Sequence, residues 1–135
     1  MNNVVYRLRA LAHRNLAMTA LARNKWEEYD QLCQMALSDY DKLQAFGAVN
    51  TDLLKLEHAG AIFMCYQYKN FDELSIQYEK IIKICESVNE DCMKPPAELL
   101  IGRVLLSVKQ LKNGRDILTT ILSQSGDVVQ GQAFR

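Results

Sequence analysis

Proline is scarce in this chain, occurring twice, and the six glycines are scattered rather than clustered. No stretch is dominated by Gly, Pro or Ser, which leaves little material for linkers, and no grouped glycines form a loop that could cradle a phosphate. Basic and acidic side chains number sixteen each, so the formal charge is zero and no global field draws the protein toward nucleic acid or an anionic membrane. No apolar run approaches the roughly 20 residues of a bilayer span. Arg7, Arg9 and Arg14 interrupt the early apolar runs before they reach secretory length, and the absence of serine before Ser38 does not fit a mitochondrial leader. The four cysteines, Cys33, Cys65, Cys85 and Cys92, form no CxxC, as expected of reduced thiols in a cytoplasm.

Material for catalysis is equally thin. There are two histidines, His13 and His58, and no Walker, dinucleotide, zincin or nucleophile-elbow string. His58 lies seven residues before Cys65, which is sparse beside known metal sites. Acid pairs such as Glu27-Glu28 and Asp72-Glu73 stand where helices begin and are explained by the helix dipole. A non-enzyme with no catalytic residue, metal or cofactor is the expectation.

What is present is helical. The 135 residues suit one domain, and no useful period-2 run argues for a sheet. Val5, Leu8, Ala12 and Leu16, with Leu11, Met18 and Leu21, recur at steps of three, four or seven and predict an amphipathic first helix. That helix is basic: Met1 to Lys25 holds five Lys or Arg and no acid, whereas Trp26 to Asp52 holds six acids against Lys42 alone. The two should attract each other as neighbours, each pair contributing only ~0.2–1 kcal/mol.

Three similar punctuation marks follow: Asn24 before Glu27, Asn70 before Glu73, and Asn113 before Asp116. An Asn with an acid three positions on reads as a helix N-cap. Longer breaks fall at Phe46-Gly47 to Asn50-Thr51-Asp52 and at Asn89 to Pro95-Pro96, where glycine ends one helix and capping residues or prolines start the next. The spacing predicts six helices, near 3–23, 25–45, 52–69, 71–89, 96–111 and 114–124, paired into three hairpins, with a short tail over 126–135 that should not form a further helix.

The hairpins resemble one another. Leu16-Ala17, Trp26 and Ala36-Leu37 in the first match Ala61-Ile62, Phe71 and Ile81-Ile82 in the second, and Ile101-Gly102, Leu111 and Ile121-Leu122 in the third. This pattern is similar to the tetratricopeptide repeat (TPR), in a long-hairpin variety like that of bacterial peptide-sensing regulators. Its marks recur after 46 and 43 residues, against about 34 in the standard repeat.

The resemblance implies an all-α, right-handed superhelix over 1–125 whose leading helices line a concave groove. The groove positions carried over are Leu11, Arg14, Met18 and Leu21, then Leu56, Ala59, Phe63 and Tyr66, then Leu99, Arg103 and Leu106. Such a groove would hold a peptide segment with apolar anchors and a carboxylate. The family's chaperone-tail clamp is not expected, because the sites that carry Lys and Asn there hold Arg14, Met18, Gly60, Pro96 and Leu100 here. The resemblance also implies a capping helix, and none is legible after Ser125. Ile117, Ile121 and Leu122 would then be partly exposed and available for self-association, as a homodimer through the last hairpin.

The function expected is thus a protein-protein interaction module, a scaffold or chaperone-like adaptor binding another protein or peptide. Two alternatives stand beside it: the ligand- or peptide-sensing domain of a regulator, and an oligomerising structural subunit. No membrane partner is expected, and nucleic acid is disfavoured by the acidic second and fourth helices.

Overall fold

A computed structural model describes residues 3–45, 51–69 and 71–130. Its helices are α1 (Asn3–Ala22), α2 (Trp26–Ala45), α3 (Asp52–Tyr66), α4 (Phe71–Glu86) and α5 (Lys94–Gln130), with one 3-10 turn at Asp91–Met93. There is no strand among the described residues, so the fold is all-α, and no helix is long and apolar enough to cross a membrane. The helices α1 and α2 form one antiparallel hairpin, α3 and α4 a second, and α5 runs back along α4.

The local chemistry of the first turn differs from the expected cap. Asn24 adopts φ 58°, the left-handed conformation that ends a helix. The Lys25 N–H donates to the Ala20 carbonyl at 2.9 Å and the Asn24 N–H to that of Leu21 at 3.0 Å, closing α1 with a Schellman motif. Asn24 therefore terminates α1 rather than capping α2. Asn tolerates this backbone better than other non-glycine residues, which is why the same residue type serves at either end. The expected cap at Asn70, and the break at Phe46, Gly47 and Asn50, lie outside the described residues. Thr51 does cap α3, its hydroxyl accepting from the Leu54 N–H at 3.2 Å.

The first hairpin packs on small residues. Ala10, Ala17 and Ala20 are buried against Tyr29, Cys33, Tyr40 and Leu43 of α2, positions spaced by three, four or seven residues along their helices. Alanines let the tyrosines fill the space between the helix axes, so the bulkier stripe is rotated away: Leu8, Leu16 and Met18 stay exposed. Asp39 is buried in the seam, with Arg9 Nη2 3.1 Å from Oδ1 and His13 Nδ1 2.9 Å from Oδ2. The basic helix thus meets the acidic one chiefly at a single carboxylate. Arg7 instead pairs with Glu57 of α3, Nε lying 3.1 Å from Oε2.

The larger core joins the second hairpin to α5. Ile62, Phe63, Leu74, Ile81, Cys85, Ala97 and Val104 are its centre. Where the chain turns from α4 to α5, Asp52 Oδ2 accepts the N–H groups of Glu90 at 2.7 Å and Asn89 at 3.0 Å, tying that link to the first turn of α3.

The third hairpin is absent. The turn expected at Asn113-Gly114 is interior to α5, which continues to Gln130, so the expected helices at 96–111 and 114–124 are one and part of the expected tail is helical. A lone glycine costs a helix only ~1 kcal/mol relative to alanine. Arg115, just beyond it, offsets that by lying over the Phe71 ring at 4.3 Å and placing Nη1 3.1 Å from Asp72 Oδ1. These contacts hold α5 against the start of α4. Beyond them α5 projects past the body, and every residue from 112 to 124 is exposed.

Candidate functional site

Three helices open onto one cleft of about 490 Å³. From α1 come Leu11, Arg14, Asn15 and Met18; from α3, Gly60, Phe63 and Met64, with Gln67 at its C-cap; from α5, Leu100 and Arg103. The seven-residue step from Leu11 to Met18 places both on the cleft side of α1, with Arg14 between them. The four-residue step from Gly60 to Met64, with Phe63 beside it, does the same on α3.

Both cations of the cleft are held by neutral groups. Arg14 Nη1 donates to the Glu57 carbonyl at 3.2 Å, and its Nη2 lies against Gly60, where a Cβ would stand 3.3 Å away. The missing Cβ at Gly60 leaves room for Nη2 to come this close to α3. Arg103 lies over the Phe63 ring at 5.4 Å. Among the described residues no ion pair joins either arginine to a carboxylate, and no acidic side chain lines the cleft. The Glu57 carboxylate is taken up by Arg7, whose guanidinium pKa it raises by hydrogen bonding and charge. An apolar floor between two guanidiniums suits a carboxylate or another anion attached to an apolar body.

No family model, curated protein or solved structure matches this chain. The reading of the site rests on its own residues.

Of the groove positions expected from sequence, the cleft brings together Leu11, Arg14, Met18, Phe63 and Arg103. The others lie elsewhere. Leu21 is half-buried against the first hairpin's core, Leu56 and Ala59 belong to the core under α4 and α5, and Leu99 and Leu106 are exposed outside the cleft. Tyr66 faces away altogether, into a smaller hollow of about 310 Å³ between α2 and α4 with Leu37, His58 and Lys80. Leu21, Leu56, Ala59 and Tyr66 are turned past the cleft edge onto neighbouring helices, whereas Leu99 and Leu106 are turned to solvent.

Asn15, Gly60, Met64, Gln67 and Leu100 complete the cleft without having been taken as groove residues. Two of them, Gly60 and Leu100, are, with Arg14 and Met18, positions that the tetratricopeptide resemblance sets against the donor sites of the chaperone-tail clamp. Pro96 does not reach the cleft. Ile117, Ile121 and Leu122 are exposed, on the projecting part of α5 rather than on a terminal hairpin.

Two further clusters were not legible in sequence. Trp26, Tyr29 and Tyr68 meet edge-on, with centroids 5.6 to 6.2 Å apart, above Cys65 and beside the Asp30–Lys69 ion pair of 2.8 Å. The Cys33 and Cys65 thiols are buried beneath them. The neighbouring Cys33 thiol and burial together raise the Cys65 pKa, and the Tyr29 pKa is raised mainly by burial, so both stay protonated. The Tyr29 hydroxyl donates to the Met64 carbonyl. Spent on a backbone carbonyl in the core, it secures the α2–α3 contact. His13 is occupied by Asp39, and His58 is stacked on Tyr40 at 5.4 Å, with burial holding its pKa down.

Proposed function

We propose that the protein is a TPR-like interaction module that holds a peptide segment of another protein in the cleft between α1, α3 and α5. An apolar anchor of the peptide lies on Leu11 and Met18, above the buried Phe63, and a carboxylate beside it bonds Arg14 or Arg103. The observation that carries this reading is the pairing of two guanidiniums, neither matched to a carboxylate, with an open apolar floor. A core would not leave Met18 half exposed. A charge-assisted bond to either arginine contributes about 1.5–3 kcal/mol.

The test is capture of partner proteins by the native chain and by Met18→Glu with Arg103→Glu, followed by anisotropy titration of acidic, leucine-containing peptides. Both positions are exposed, so the variant should fold. Affinity should fall at least tenfold and the native complex should weaken with salt. Equal retention of the same ligands by both chains would remove the cleft from consideration.

A further inference from the structure

We propose that the hollow between α2 and α4 binds a free α-amino acid with an apolar side chain, at a site separate from the peptide cleft. The hollow holds about 310 Å³, the small end of the roughly 300–1,000 Å³ usual for ligand pockets. His58, Ile62 and Tyr66, spaced by four, form its floor. At 100° per residue they turn to the other side of α3 from Gly60, Phe63 and Met64, which line the cleft. Leu37 and Asp41 of α2 stand in one wall, and Lys80 of α4 stands in the other.

The imidazole in the floor has one bonding position left over. His58 is 4% exposed, and its ring is fixed by stacking on Tyr40 and by the Gln44 amide nitrogen 3.3 Å from Nδ1. An amide nitrogen can only donate, so Nδ1 accepts and the ring proton is on Nε2. Burial, with Lys80 adding, lowers the pKa and keeps the ring neutral at pH 7. Among the described residues that Nε2–H meets no acceptor. A buried donor without an acceptor is costly, so a ligand that supplies one is held there.

The charges around the ring define the ligand. Asp41 and Lys80 both act on His58, yet neither forms an ion pair among the described residues. A simple carboxylate would be drawn to Lys80 and to Nε2–H but repelled by Asp41, and a simple amine would meet the reverse. An α-amino acid carries both ions on one carbon. Its carboxylate accepts from His58 Nε2 and from the Lys80 ammonium, while its own ammonium faces Asp41. The side chain then lies on Leu37, Ile62 and Tyr66, which favours an apolar residue over glycine. A peptide bond at either end removes one of the two charges, so the ligand is the free amino acid and not a segment of polypeptide.

The experiment is titration of the full chain with L-leucine, L-isoleucine and L-methionine, read by the imidazole resonances of the two histidines. The His58 signals should shift and saturate, while those of His13, held by Asp39 in the first hairpin, stay in place. Glycine, N-acetyl-leucine and leucinamide should each bind at least tenfold more weakly than leucine. Asp41→Asn and Lys80→Gln should weaken leucine to a similar extent, and both side chains are exposed, so the fold is kept. The chain with Met18→Glu and Arg103→Glu should bind leucine as the native chain does. The proposal is overturned if none of the three amino acids moves the His58 signals, or if His13 moves equally. Equal binding of the acetylated or amidated compound, or native affinity in both hollow variants, would also overturn it. Loss of leucine binding in the cleft variant would do the same, by placing the amino acid in the cleft.

Discussion

The Arg14 guanidinium rests on the backbone of α3 at Gly60, so near that a Cβ there would lie 3.3 Å from Nη2. Gly60→Ala therefore separates stability from binding. Alanine in a helix interior gains about 0.5–1 kcal/mol over glycine, and the atom it meets is the mobile end of a side chain, so the fold can absorb it. The cleft cannot absorb it as well. Arg14 must move by a few tenths of an ångström, loosening its bond to the Glu57 carbonyl. Thermal melts should show an equal or higher midpoint, while titration with acidic peptides should show severalfold weaker binding. Unchanged affinity would mean that the placement of Arg14 is irrelevant to the cleft.

Asp39 should be the most sensitive polar position of the first hairpin. Its carboxylate is 1% exposed and receives Arg9 and His13 from the opposite helix. Asp39→Ala loses both contacts, but Arg9 is 43% exposed and can turn to water, which limits the penalty. A loss of about 2 kcal/mol is expected in urea unfolding. Double-mutant cycles with Arg9→Ala and His13→Ala should show non-additive effects, because the three side chains form one network.

Helix ends were legible wherever a single residue decides them, as at Thr51 and at Pro95-Pro96. Faces were less so. The large residues of α1 make the obvious stripe, but helix pairs that approach closely need alanines, so Ala10, Ala17 and Ala20 were the informative spacing. Cleft positions in the middle of α1 and α3 could be read from the repeat pattern. Leu21, Leu56 and Tyr66 could not, because whether a flanking position faces the cleft or a neighbour depends on helix rotation. The straight run of α5 was hidden because the Asn113–Asp116 pattern looks like a cap, and its suppression comes from Phe71 and Asp72, some forty residues away.

Acid should open the link between α4 and α5. Backbone N–H donation from Glu90, then from Asn89, with Lys55 nearby, holds the Asp52 carboxyl below its ordinary value of 3.8. A lowered carboxyl contributes stability above that value and loses it as the pH falls through the folded pKa, because the unfolded chain binds the proton more readily. His58 acts in a higher window: burial lowers its pKa, with Lys80 adding and Asp41 opposing, so stability declines as the pH drops below 6.5. Urea midpoints across a pH series should show both steps. Asp52→Asn should lower the neutral-pH midpoint and flatten the more acidic step, leaving the histidine step in place.

The core under α5 makes the exposed leucines of the same helix a control. Val104 is fully buried with Leu74 and Ile81, whereas Leu99 is two-thirds exposed on a neighbouring turn. Leu74→Ala or Ile81→Ala should cost about 2–5 kcal/mol by lost transfer energy and cavity formation. Leu99→Ala should stay within about 0.5 kcal/mol. Equal effects at Leu74 and Leu99 would mean that α5 packs with another face.

Gly114 decides between a continuous α5 and a third hairpin. In the straight helix a Cβ at this position meets nothing within 4 Å, so Gly114→Ala should raise stability by up to ~1 kcal/mol through helix propensity and reduced freedom of the unfolded chain. In a turn, where glycine would serve the bend, the same substitution should destabilise. Arg115→Ala gives the complementary measurement: without its stacking on Phe71 and its bond to Asp72, amide exchange should quicken from residue 112 onward and remain slow around Val104. A stabilising alanine at 114, with exchange that quickens only beyond the Arg115 anchor, describes one helix clamped at its middle. A destabilising alanine would instead favour the turn that the Asn113–Asp116 pattern suggests.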